Sequence, residues 1–224
     1  DIPIQEELEK KFSIPIFLEN DANAGALAQY WYNAEKNQDE VLIYIADGQG
    51  VGAGIIHHGE LVKGVLGMAG EIGHMSIDYR GPRCACGNYG CLESYCSSIA
   101  FTKEVNRILA PMQDFTFQEA ARMAREENPI VTEIYSKCCD YLAAGIANII
   151  NCFNPTDIVV GDEMSHVVPS IMLDRVKREV ESRVIPEIYA NLTISLSAIE
   201  NSMIHGAAVV AIRDIFYEPR KYFS

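Results

Sequence analysis

The chain has 224 residues, 49% of them hydrophobic and 22% charged. It can bury a sizeable core, which excludes a disordered tail, a collagen-like repeat and a polar linker. Eighteen Lys and Arg stand against 31 Asp and Glu, for a formal net charge of −13; so acidic a surface repels phosphate backbones, and this segment is not expected to hold DNA by itself.

No apolar run reaches the roughly eighteen residues that a membrane helix needs. The longest, Leu142 to Phe153, is interrupted by Asn148 and Asn151. No signal peptide is visible either. The first residue is Asp1 rather than Met, which reads as a piece of a longer chain. The seven cysteines are Cys84, Cys86, Cys91, Cys96, Cys138, Cys139 and Cys152. An odd count without a secretory signal argues against a disulfide framework and for a reduced, cytoplasmic protein.

In chain order, Ile14 to Leu18 predicts a short buried strand ending at Glu19-Asn20-Asp21, with Asp21 capping a helix from Ala22 to about Ala34. Val41 to Ala46 predicts a second strand, and Asp47-Gly48-Gln49-Gly50 a glycine turn into a third, Val51 to His57. His58-Gly59 turns the chain back towards Leu61-Val62. Gly59 to Gly90 then holds eight of the sixteen glycines, so its backbone is irregular and needs something other than a ladder to hold it. From Ser97 onward the pattern turns helical. Thr116-Phe117-Gln118-Glu119 is a capping box for a helix to about Glu127. A long helix, Ile130 to Asn151, follows Asn128-Pro129; then come a strand at Ile158 to Val160, a helix at Ser170 to Arg183, a strand at Leu192 to Leu196 and a last helix at Met203 to Tyr217. Alternating strands and helices predict an α/β protein with helices layered on a sheet.

His74, Cys84, Cys86 and Cys91 form the spacing H-x9-C-x-C-x4-C. Three thiolates and an imidazole make a tetrahedral zinc shell, and four protein ligands leave no open position, so the ion is expected to be structural. Three thiolates leave the zinc centre with a net negative charge, which does not suit a Lewis acid. The alternative is a set of ordinary buried thiols. Glu71 and Glu93 flank the cluster, and the second ring nitrogen of a ligating histidine is normally tied to an outer partner. Two carboxylates and an oriented imidazole suit a hydroxyl-rich ligand. Equally, Glu71 and Glu93 read as surface carboxylates at helix starts.

Four stretches together resemble the ROK family of bacterial sugar kinases and sugar-responsive repressors (the xylose and N-acetylglucosamine repressor types). They are Glu19-Asn20-Asp21-Ala22-Asn23-Ala24, Gly50-Val51-Gly52-Ala53-Gly54, Gly70-Glu71-Ile72-Gly73-His74, and Cys84-Ala85-Cys86-Gly87-Asn88-Tyr89-Gly90-Cys91-Leu92-Glu93. The resemblance implies an actin-like, ribonuclease-H-like α/β fold, incomplete at the N-terminal lobe. It divides the chain into 1–18 (end of the first lobe), 19–202 (the sugar- and zinc-binding lobe) and 203–224 (a C-terminal helix returning to the first lobe). It implies sugar contacts from Asn20, Asp21, Glu71, His74 and Glu93, zinc on His74, Cys84, Cys86 and Cys91, and a homo-oligomer. In a kinase Asp21 would be the base that takes a proton from the attacking sugar hydroxyl, with ATP and Mg2+ as cofactors. In a repressor the same residues would only bind the sugar, and DNA would be held by a helix-turn-helix outside this segment.

The phosphate-loop remnant Gly48-Gln49-Gly50 carries Gln49 where such kinases usually have threonine. Gly161-Asp162-Glu163-Met164 carries two carboxylates where they usually have a glycine pair. Carboxylates beside a polyphosphate repel it. With the sugar side intact and the nucleotide side altered, the expected function is the sugar-sensing domain of a repressor; the alternative is an ATP-dependent sugar kinase. A purely structural zinc module would leave Asn20, Asp21, Glu71 and Glu93 without a role.

Overall fold

The computed structural model describes residues 2–33, 40–109, 114–217 and 219–221. The order is α1 (Ile4–Phe12), α2 (Asp21–Tyr32), β1 (Val41–Asp47), β2 (Val51–His57), β3 (Glu60–Leu61), α3 (Glu93–Cys96), α4 (Ser98–Leu109), α5 (Phe117–Arg125), α6 (Pro129–Phe153), β4 (Asp157–Gly161), α7 (Pro169–Arg183), α8 (Pro186–Tyr189), β5 (Thr193–Leu196) and α9 (Ser202–Tyr217). The five strands form one sheet in the order β3-β2-β1-β4-β5. β1 and β2 make the expected hairpin, Val41 opposite His57 and Asp47 opposite Val51, while β4 and β5 join in parallel.

Strand alternation divides the core between the two faces. Ile43, Ile45, Ile158 and Val160 point to one face and pack against α3 to α7, including Leu142, Ile146 and Ile150 of α6. Leu42, Tyr44, Ala46 and Val159 point to the other and meet α2 and α9. α6 starts where Asn128 Oδ1 accepts the N–H groups of Ile130 and Val131, and ends at Asn154 in the left-handed region. The Thr116/Glu119 capping box opens α5 as expected.

Small residues let α2 lie close on the sheet. Ala22, Ala24, Ala26 and Ala28 are buried, and a Cβ on Gly54 of β2 would run into the Ala22 carbonyl and the Ala26 methyl. This close approach brings the start of α2 to the end of the β1–β2 hairpin.

Two readings of the N-terminal region are corrected, and one helix is added to them. Ile14 to Leu18 is not a strand: no ladder partner exists among the described residues, Ile14 and Leu18 are 58% and 55% exposed, and the segment is tied to α1 by Gln5 Nε2 donating to the Ile16 carbonyl and by the Ile16 N–H donating to Glu9 Oε1. α1 itself was not anticipated; Ile4, Leu8 and Phe12 recur at helical spacing, but the helix buries no residue. The α2 cap is Asn20, whose Oδ1 accepts the Asn23 N–H at 3.2 Å, and Asp21 is the first helical residue. The expected end of that helix, Ala34, lies outside the described residues; α2 runs to Tyr32.

A methyl group added at Gly54 should force α2 off β2. Gly54→Ala should lower stability by about 1–3 kcal/mol, the ordinary cost of overpacking, measured by chemical denaturation; an unchanged midpoint would contradict the close helix–sheet packing.

Candidate functional site

The glycine-rich stretch folds back on itself through short backbone bonds. Cys84 N–H donates to the Asn88 carbonyl at 2.8 Å, Gly87 N–H to Cys84 at 3.0 Å, Gly90 N–H to Pro82 at 2.8 Å and Leu92 N–H to Met75 at 2.9 Å. Gly87 and Gly90 hold φ of 96° and 64°, and a side chain at Gly90 would meet the Asp78 carbonyl; the turn therefore needs glycine there.

This folding gathers His74, Cys84, Cys86 and Cys91, whose ligand atoms all lie within 4.8 Å of one another. Cys84 Sγ is 3.8 Å from His74 Nδ1 and Cys86 Sγ is 3.7 Å from Cys91 Sγ. Ligands about 2.0–2.3 Å from one tetrahedral zinc ion stand about 3.4–3.8 Å apart, so the four residues fit the ion. Their ionisation points the same way. The Cys84 thiol is drawn down to about 7, first by the Cys86 backbone N–H, whereas burial first and the neighbouring thiols second push Cys91 up to about 12. Three thiols this close resist joint ionisation, and a shared divalent cation removes that conflict. With Nδ1 towards the thiols, Nε2 is the nitrogen left for an outer partner.

Beside this cluster lies a cavity of about 420 Å³. Of the residues singled out in the sequence it brings together Asn20, Asp21, Gln49, Gly50, Glu71, Glu93, Asp162 and Glu163; His74 sits in the cysteine cluster and does not line it. Glu71 precedes the short helical turn Ile72–His74 and Glu93 begins α3, so both are helix-start carboxylates and both face the cavity. Glu93 Oε2 also accepts the Val51 N–H at 3.2 Å, and the Ala53 N–H donates to Gly70 at 2.8 Å. These two bonds fasten the His/Cys loop to β2.

At the other wall, Gly48 N–H donates to the Gly50 carbonyl at 3.0 Å and Gly48 accepts the Ser98 N–H at 2.8 Å. The Asp162 carboxylate packs against Gly48. Asp162 holds φ 74° and ψ −169°, a backbone region that belongs to glycine and costs other residues about 1–3 kcal/mol. Burial first, with Glu163 and Asp21 adding to it, raises its pKa even though the Glu163 N–H donates to it. Ser98 Oγ donates to Glu163 Oε2 at 3.0 Å. A second, more open cavity of about 760 Å³ adjoins through Gln49 and Glu163 and is lined by Lys103, Asp114 and Phe117 among others.

Two features escaped the sequence reading. Glu19 Oε1 accepts from Asn20 N–H and Asn23 Nδ2, and Glu19 Oε2 pairs with Lys63, so residue 19 ties the start of α2 to the loop after β3. Asp47 is 1% exposed and neither carboxylate oxygen has a hydrogen-bond partner. Burial first and the charge of Asp162 second push its pKa well above the usual carboxylate range, which favours the protonated form in the folded chain. An aspartate closing the otherwise apolar run Val41 to Ala46 was the available signal.

The ROK family model matches residues 1–214. The chain belongs to the ROK family. It is 33% identical over 215 residues to the xylose repressor of Bacillus subtilis, covering 96% of this chain and 54% of that protein. It thus spans about half the length of the curated relatives it matches. The crystal structure of a ROK family transcriptional regulator, a homologue of the E. coli MLC protein, superposes with a TM-score of 0.80 at 30% identity, covering 92% of this chain and 54% of that one. A ROK family glucokinase from Streptomyces griseus, solved with glucose and AMPPNP, gives 0.79 at 26% identity over 94% of this chain and 72% of that one. The fold is therefore the actin-like α/β fold of ROK repressors and sugar kinases.

Cys86→Ser should lower both the zinc content of the purified protein, about one ion per chain in the parent, and its thermal midpoint. Metal analysis that finds no zinc in parent protein prepared without chelator would contradict the ligand set. For Asp47 the folded pKa lies above the unfolded value of about 3.9, so the folded state binds the proton more tightly. Its contribution is fully present below that unfolded value and is lost as pH rises through the folded one. Asp47→Asn removes this dependence, so the variant should exceed the parent in thermal midpoint at about pH 8 and lose that margin as pH falls towards about 4. A margin independent of pH would contradict a neutral Asp47.

Proposed function

We propose that this chain is the sugar-sensing part of a ROK-family transcriptional repressor, which binds a sugar in the 420 Å³ cavity without phosphorylating it. Asn20, Asp21, Glu71 and Glu93 converge on that cavity, and carboxylates and amides are the groups that hold sugar hydroxyls. Asp21 and Glu93 are positioned by α2 and α3 respectively, and a metal on His74, Cys84, Cys86 and Cys91 would hold the loop that carries Glu71. Such a metal is structural: when bound it cross-links the loop. His74 does not line the cavity; in this reading its first ring nitrogen holds the metal and a sugar contact would have to come from the second, reaching in from the cluster beside the cavity.

The single observation that carries the choice of repressor over kinase is Asp162. Its carboxylate lies against Gly48, in a glycine backbone conformation, with Glu163 beside it on the cavity wall. The remnant Gly48-Gln49-Gly50 spends the Gly48 N–H on its own Gly50 carbonyl. Neither feature suits the phosphates of ATP with Mg2+. The similarity to the Bacillus subtilis xylose repressor and to the solved ROK regulator supports the same choice. The kinase reading, with Asp21 as general base, draws its support from the likeness to the Streptomyces griseus glucokinase. In the repressor reading DNA is held by a helix-turn-helix outside these residues, and the protein works as a cytoplasmic homo-oligomer. Among the described residues no helix is long and apolar enough to cross a membrane.

A coupled assay with ATP over hexoses, pentoses and amino sugars should show no sugar-dependent phosphate transfer; turnover of about 1 s⁻¹ or more would establish the kinase instead. Glu71→Gln should weaken sugar binding about 10- to 100-fold, the worth of one charged hydrogen bond, and leave the zinc content unchanged. Calorimetry beside metal analysis reads both, and unchanged affinity would remove Glu71 from the sugar site.

A further inference from the structure

We infer that the cavity is an anion filter: it accepts an uncharged sugar and rejects the phosphate ester of the same sugar, with Asp162 and Glu163 as the residues that set this selectivity. The inference rests on the sugar-sensor reading and narrows its ligand class. Five carboxylates line the cavity, from Asp21, Glu71, Glu93, Asp162 and Glu163, and no Lys, Arg or His does so among the described residues. A sugar hydroxyl donates a proton to such groups. A phosphate monoester, carrying close to two negative charges at neutral pH, offers almost only acceptors and would face acceptors.

Backbone donors could still cradle a phosphate, as helix starts and glycine loops do elsewhere. Here several of those donors are already bonded within the chain. At the start of α2 the Ala22 N–H goes to Asp21 Oδ1 and the Asn23 N–H to Asn20 Oδ1. On the hairpin the Val51 N–H goes to Glu93 Oε2 and the Gly48 N–H to the Gly50 carbonyl. Internal carboxylates therefore stand where an external anion would have to bind. The neighbouring cations do not reverse this. Lys63 is paired with Glu19 and does not line the cavity, and Lys103 lines the adjoining cavity together with Asp114 and Glu163.

The test is calorimetry on the zinc-loaded, full-length protein with xylose, glucose and N-acetylglucosamine, each against its terminal phosphate ester. The sugar that binds should do so at least about 100-fold more tightly than its ester. The gap should narrow about tenfold in Glu163→Gln, which keeps the side-chain shape, and likewise in Asp162→Gly, which suits the backbone there. It should also narrow as salt is raised from about 0.05 M to about 0.5 M, because screening weakens the repulsion. An ester that binds as tightly as its parent sugar overturns the filter and leaves the sugar-sensor reading standing, as does a gap unmoved by both variants. If folded, zinc-loaded protein binds neither sugars nor esters, the sensor reading falls and the filter with it.

Discussion

The cavity depends on one constraint: a glycine-rich stretch with no ladder of its own has to be held in a single shape. Isolated β-bridges at Ser76–Cys91 and Arg83–Tyr89 are the regular pairing it has among the described residues. The four-residue His/Cys cluster closes that stretch from His74 to Cys91, and Leu92, fully buried against the core that includes α6, anchors its end. A metal on these four residues would cross-link the loop and remove conformational freedom that a few backbone bonds would leave, holding Glu71 before it and Glu93 after it towards the same space.

The opposite wall is built by close packing. Alanines and glycines let α2 settle onto β2, and α9 in turn approaches α2 so closely that a Cβ on Gly206 would run into the Ala24 carbonyl. Asn20 then takes over the cap and leaves Asp21 to the cavity. The third wall is strained rather than packed: Asp162 occupies a conformation that glycine would occupy without cost. Its carboxylate, with those of Glu163 and Asp21 close enough to raise its pKa, makes the hairpin end an environment where added negative charge is opposed.

Much of this was legible in the residues. The apolar runs at Val41 to Ala46 and Ile158 to Val160, the capping box at Thr116 and the break at Asn128-Pro129 fix local structure by short-range chemistry, and those elements appear where expected. The His/Cys spacing was equally readable, because ligand geometry constrains sequence spacing. The segment Ile14 to Leu18 was not, because an apolar run becomes a strand only where a neighbouring strand offers backbone partners. The cap assignment failed because Asn20 and Asp21 are both good caps and only the path of the chain decides between them. Asp47 and the Glu19–Lys63 tie depend on residues far apart in sequence, and nothing local announces them. Asp162 and Glu163 stand out in the sequence only through the family resemblance, whereas the glycine-type backbone of Asp162 and its carboxylate against Gly48 required coordinates.

The most direct measurement removes the metal and watches the cavity. Hydrogen exchange on chelator-treated protein should show faster exchange across residues 70–95 with the β1 and β4 amides still protected, and a parallel sugar titration should lose most of its affinity. Metal-free protein that keeps slow exchange in 70–95 and binds sugar as tightly as the loaded form would contradict the dependence of the cavity on the His74–Cys91 cross-link.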